Sequence, residues 1–172
     1  MNYLSLFSGI GAPESALKNI GIDYNLVGFS EIDKYASKSY CTVHEVDESL
    51  NLGDITKIDI DKLPKNVDLL TGGFPCQDIS VAGKQKGIIK GETRSGLMYE
   101  MMDIIKHVKP KVVLAENVKN ILSKKHRPQL EEYLCFLSDL GYEVTMDVLN
   151  SKDFGIPQSR ERIYIIGVLK ND

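Results

Sequence analysis

Short apolar, β-branched runs alternate with helical patterns along the whole chain, and this alternation limits the possible folds more than any other property. Residues 3–7, 26–29, 67–71, 112–115, 144–149 and 162–168 read as strands, and a weaker strand is expected to end near Asn51 or Leu52. Helical patterns occupy about residues 13–19, 33–42, 96–108 and 129–140. The third is the clearest: Ser95 is placed to cap it, Leu97, Met101, Ile104, Ile105 and Val108 share one face, and Pro110 follows its end. Repeated strand and helix alternation predicts an α/β fold, a parallel sheet covered by helices on both faces, with ligands bound at the carboxyl ends of the strands.

The chain has 172 residues, 42% of them hydrophobic, enough for one domain with a core that needs neither disulfide nor metal. Cys41, Cys76 and Cys135 are odd in number and unclustered, without metal-ligand spacing. With no signal-peptide pattern and no run near membrane-span length, reduced thiols in a cytoplasmic protein are expected, with no membrane partner and no metal. The net charge of −3 excludes a uniformly basic nucleic-acid binder, so any such contact must be local. Between Lys84 and Arg127 there are eleven Lys or Arg against four Asp or Glu. Part of that excess lies in residues 78–94, where Gly83, Gly87 and Gly91 alternate with Lys84, Lys86, Lys90 and Arg94, the composition of a long basic surface loop.

The chemistry-bearing residues fall at strand ends. Phe7 to Ala12 follow the first strand and open a helix, where glycines permit a tight turn and close approach of backbone to ligand. Glu31, twenty residues beyond Gly11, follows the second strand and can accept hydrogen bonds from ribose hydroxyls. Asp54, in the run Gly53 to Thr56, is placed to meet an adenine amino group. Each carboxylate alone is more often a helix cap or a solvated group, but three such features at consecutive strand ends point to an adenosine-containing cofactor. Gly72 to Gln77 end the fourth strand and contain Cys76 after Pro75. A lone cysteine is more often a small buried apolar residue. Here it follows a glycine-rich turn at the ligand end of the sheet, and Glu116, ending the next strand, would lie beside it if the two strands are neighbours. A glutamate unpaired at the end of a buried strand would carry a desolvation cost of several kcal/mol.

Taken together, FSGIGA at 7–12, SEIDKYA at 30–36, GDIT at 53–56, GGFPCQDIS at 72–80, GKQKG at 83–87, ENVKN at 116–120 and QSRERIYIIG at 158–167 resemble the cytosine-5 DNA methyltransferase family in order and spacing. The resemblance implies a Rossmann-like S-adenosylmethionine-dependent fold with a mostly parallel seven-stranded sheet and an antiparallel last strand. It implies that Cys76 attacks carbon 6 of a cytosine flipped from duplex DNA, while Glu116 holds nitrogen 3 and the amino group. Arg160 and Arg162 match arginines that line the target pocket, although two arginines flanking Glu161 would otherwise read as surface ion pairs. Phe7, Gly9, Ile10, Gly11, Glu31, Ile32, Asp54, Ile55 and Leu97 match positions around S-adenosylmethionine, whose product is S-adenosylhomocysteine. Gln77, Gly83, Lys84 and Gln85 match the segment that closes over DNA.

Family members continue well beyond the equivalent of Val168, through a target-recognition region and a C-terminal segment that packs beside the first motif. The expectation is a catalytic subunit of a split bacterial or phage-like enzyme, of the kind found in restriction-modification, that works with a complementary chain. The alternatives are an inactive or regulatory remnant, and a tRNA methyltransferase, which shares the motifs but ranks lower on the GKQKG loop. A nicotinamide-dependent oxidoreductase would explain the glycine turn and Glu31 but gives no role to Cys76, Glu116 or the arginines.

Overall fold

The computed structural model of the chain describes residues 1–74 and 97–170. Within them a six-stranded sheet has the order β2-β1-β3-β4-β6-β5, with β1 Asn2–Leu6, β2 Asn25–Ser30, β3 Leu69–Gly72, β4 Val112–Val118, β5 Tyr142–Asn150 and β6 Glu161–Leu169. The pairs β1–β2, β1–β3 and β3–β4 are parallel, whereas β6 lies antiparallel between β4 and β5. The last strand is therefore antiparallel as expected. Four α-helices connect the strands: α1 Ala12–Asn19, α2 Lys34–His44, α3 Leu97–Val108 and α4 Arg127–Asp139.

The expected strand near Asn51 and Leu52 is reduced to a single bridge between Phe29 and Asn51, so the seven-stranded count is not met among the described residues. The cause is local. Asp47 and Asp54 each accept the amide two residues ahead and begin short 3-10 turns, while Gly53, at φ +70°, turns the chain away from an extended path.

Alternation along β1 divides the domain into two layers. Leu4 and Leu6 join the core beneath α3 with Met101, Ile105, Leu70 and Val113. Tyr3, on the opposite face, meets α1 and α2, where its hydroxyl donates to buried Glu14 at 2.9 Å. Tyr40 of α2 donates to the same carboxylate oxygen at 2.8 Å, so one glutamate fastens both helices to the sheet. On β4, Val113, Ala115 and Asn117 are buried, while Val112, Leu114, Glu116 and Val118 are only half-buried on the other face. Ile166 and Val168 of β6 pair with Leu114 and Val112 and are 40% and 48% exposed, leaving an open apolar strip beside α1.

Candidate functional site

The parallel strands end together on one side of the sheet, and Phe7, Gly9, Glu31 and Glu116 lie at or just beyond those ends. The turn from Phe7 to Gly11 requires three left-handed conformations, with φ of +54° at Phe7, +56° at Gly9 and +84° at Gly11. Phe7 is strained as a bulky residue in this region, as is common where backbone is held for a ligand. Ser8 N–H donates to Ser30 O at 3.0 Å, fixing the turn to the end of β2. Beside it Glu31 accepts the Gly9 amide on one carboxylate oxygen and the Asp33 amide on the other, both at 2.8 Å. These bonds aim the carboxylate and leave each oxygen a further lone pair. Ile10 and Ile32 are 63% and 74% exposed, supplying apolar surface beside it.

Asp54 caps a short 3-10 turn: one oxygen accepts the Thr56 amide and hydroxyl at 3.0 and 2.8 Å, and the other lies 3.5 Å from Lys57 Nζ. The Thr56 hydrogen bonds, with Lys57 adding to them, hold its carboxyl below the usual carboxylate range. The Ile55 side chain is buried in the core and Leu97 packs against that core at the start of α3, so neither presents an open apolar surface as Ile10 and Ile32 do.

Strands β3 and β4 are neighbours, with Gly72 opposite Ala115, so Gly73, the residue that follows β3, lies beside Glu116. Asn117 Nδ2 donates to Phe74 O at 3.4 Å, tying that exit to β4. Arg162 Nε lies 2.9 Å from Glu116 Oε1. The carboxylate that Arg162 pairs with is therefore Glu116, another candidate catalytic residue, while its contact with Glu161 is to the backbone carbonyl at 2.8 Å. Arg160 precedes β6 rather than extending it, and Asn150 Oδ1 accepts its amide at 3.0 Å. Cys76, Gln77, Gly83, Lys84 and Gln85, together with the proposed cap Ser95, lie outside the described residues.

A cavity of about 430 Å³ is bounded by Phe7, Ser8, Gly72, Gly73, Glu116 and Arg160, while Glu31, Ile32, Asp54 and Arg162 are not among its lining residues. That size suits a small-molecule site. A side chain on Gly73 would crowd Glu116 Oε2 at 3.1 Å, so glycine there keeps the carboxylate at the cavity wall. Three further residues were not foreseen from local sequence patterns. Ser5 and Thr71 form a polar floor, with Ser5 Oγ buried and without a hydrogen-bond partner among the described residues, and Tyr164, opposite Glu116, closes one side. Only the strand register could have revealed them. A more open hollow of about 550 Å³ at the start of β2 contains none of the expected site residues.

Among the described residues no group of three or more His, Cys, Asp or Glu could hold a metal, and no helix is long and apolar enough to cross a membrane. Cys41 and Cys135 are free thiols.

Comparisons with known proteins agree with this architecture. The chain is 52% identical over 168 residues to the orphan methyltransferase M.Rho11sI of Bacillus phage rho11s, covering 98% of this chain and 33% of that protein. It is 40% identical over 169 residues to the type II methyltransferase M.NlaX of Neisseria lactamica, covering 98% of this chain and 52% of the relative. The chain thus spans about a third to a half of the curated relatives it matches. Among solved structures, S. pombe Dnmt2 methyltransferase superposes with a TM-score of 0.73 at 26% identity, covering 100% of this chain and 50% of that one. The Spodoptera frugiperda DNMT2 E260A/E261A/K263A mutant superposes with a TM-score of 0.79 at 24% identity, covering 99% and 50% of the two chains. The family model for C-5 cytosine-specific DNA methylase matches residues 1–172, and the chain belongs to that family.

Proposed function

We propose that this chain is the catalytic and cofactor-binding part of a DNA cytosine-5 methyltransferase that uses S-adenosylmethionine and works with a complementary recognition segment. The observation that carries this reading is the Glu116–Arg162 pair at 2.9 Å, set beside the glycine turn through which β3 leads to Cys76.

The cofactor fits the residues present. The left-handed turn at Phe7 to Gly11 exposes backbone, the Glu31 carboxylate is already aimed by two amides, and Ile10 and Ile32 offer apolar surface for an adenine ring. Asp54, kept charged by Thr56, accepts the adenine amino group. S-adenosylmethionine, when bound, supplies an electrophilic methyl group for carbon 5 of the base. The protein's own residues prepare the cytosine. The Cys76 thiolate forms a bond to carbon 6, and the electrons of the C5–C6 double bond move toward carbon 5. Glu116 hydrogen-bonds nitrogen 3 and the amino group, stabilising the altered ring. Arg162 orients Glu116 and reaches the cytosine carbonyl, and Arg160 lines the same cavity. Loss of the carbon 5 proton then re-forms the double bond and expels Cys76. Flipping of the base out of the duplex is required because a stacked cytosine exposes neither reactive carbon to a thiol. Gln77, Gly83, Lys84 and Gln85 contact the DNA, with basic residues neutralising phosphate.

The complementary segment is supported by the open strip of Val112, Leu114, Ile166 and Val168 beside α1, apolar surface of the kind that other protein covers. DNA containing 5-fluorocytosine tests the whole reading, because fluorine at carbon 5 cannot leave as a proton and the adduct persists. The chain combined with a recognition segment from a related methyltransferase is expected to form a denaturant-resistant adduct that Cys76→Ala abolishes. Absence of any adduct, or methyl incorporation into tRNA but not duplex DNA, would overturn it.

A further inference from the structure

Two of the segments that carry the proposed adenosine contacts, at Glu31 and at Gly53–Asp54, meet on a single side chain, that of Asn51. Its Oδ1 accepts the Glu31 amide at 3.2 Å and the Gly53 amide at 2.9 Å. Its Nδ2 donates to the Glu31 carbonyl at 3.0 Å and to Ser37 Oγ at 2.9 Å, and Ser37 is itself buried in α2. Both donors and both lone pairs of the amide are used, which fixes the group without freedom to flip. A neighbouring bond, from Ser30 Oγ to Gly53 O at 2.7 Å, closes the same loop from the other side.

We infer that Asn51 is a positioning residue for cofactor binding: it clamps the Glu31 and Gly53–Asp54 backbones at the separation that adenosine requires. Neither neighbour lies within a regular strand. Glu31 lies just beyond the last residue of β2, and Gly53 has a left-handed backbone and follows a lone bridge in place of a strand. Without Asn51, the Glu31 amide and carbonyl and the Gly53 amide lose their partners together. The Glu31 carboxylate, which also holds the Gly9 amide, then has no fixed base from which to aim. Asn51 touches neither ribose nor adenine in this scheme and acts only through the residues that do.

This inference rests on the cofactor reading above, and titration of S-adenosylhomocysteine into the full chain separates the two. Asn51→Ala is expected to weaken binding roughly tenfold, as expected for losing several part-exposed hydrogen bonds that order the site. Asn51→Asp keeps the oxygen that accepts both amides and is expected to lose less. In a chain already carrying Glu31→Ala, Asn51→Ala is expected to cost only about threefold more, through Asp54, because the main route is gone. A residue with a merely structural role would lower affinity by the same factor in both backgrounds. If the wild-type chain binds no S-adenosylhomocysteine, the cofactor reading falls and this inference with it. If the wild type binds but Asn51→Ala is unchanged, or the cycle is additive, the inference alone is overturned. Should Asn51→Ala fail to fold, Asn51→Asp carries the same cycle, and additivity there overturns the inference equally.

Discussion

Arg162 Nε and Glu116 Oε1 stand 2.9 Å apart across the antiparallel β4–β6 pair, although Arg162 is in register with Val118 and Glu116 with Tyr164. The bond is diagonal, so it exists only because β6 inserts antiparallel beside β4. Glu116→Gln is expected to lower methylation at least about a hundredfold, since in the proposed mechanism the residue acts on the reacting ring. Stability should change by less than about 1 kcal/mol, because the two side chains are 34% and 20% exposed and water screens the pair. Methylation rates read against urea midpoints check both halves, and a large loss of stability would show the pair to be structural.

Gly11 combines a φ of +84° with a position where a Cβ would run into the His44 ring, whose Nε2 lies 3.0 Å from the Ile10 carbonyl oxygen. Gly11→Ala is expected to destabilise the chain by about 1–3 kcal/mol. Gly11→Ala with His44→Ala should recover the steric part but not the backbone part. Chemical denaturation of the four members of this cycle measures the partition.

Tyr40→Phe removes one of two hydroxyls donating to Oε1 of Glu14, whose Oε2 has no hydrogen-bond partner among the described residues. A loss of about 1–2 kcal/mol is expected, since a fully buried carboxylate loses a donor that water cannot replace. Burial, reinforced by the Glu14 carboxylate, pushes the Tyr3 and Tyr40 phenols far above their ordinary range. Ultraviolet titration should find neither ionising before the chain unfolds in alkali.

His126 is buried at the start of α4, and neither ring nitrogen has a hydrogen-bond partner among the described residues. Burial, with Lys125 nearby adding to it, pulls its pKa below the ordinary 6.5. Between the lowered folded value and 6.5 the unfolded chain binds more protons, so the contribution of neutral His126 to stability is full above 6.5 and is lost as pH falls through the folded value. The urea midpoint is expected to fall from pH 8 to pH 5.5, and His126→Leu should flatten that slope. An unchanged slope would assign the acid sensitivity elsewhere.

Local sequence patterns were enough to locate the alternation of strands and helices, the glycine turn at Phe7 to Gly11, and the carboxylates Glu31, Asp54 and Glu116 at strand ends. Each follows from local chemistry: β-branched runs, glycine where side chains would clash, and carboxylates just past apolar segments. Tertiary structure alone decided what those groups touch. The seventh strand dissolved into capped 3-10 turns because Asp47, Asp54 and Gly53 satisfied the backbone locally, a competition that an apolar pattern does not register. Arg162 met Glu116 rather than Glu161 because strand register, not sequence proximity, sets which side chains share a face. Asn51 gave no signal in the sequence, since its role depends on the backbones of Glu31 and Gly53 converging on one amide, and only the folded chain brings them together.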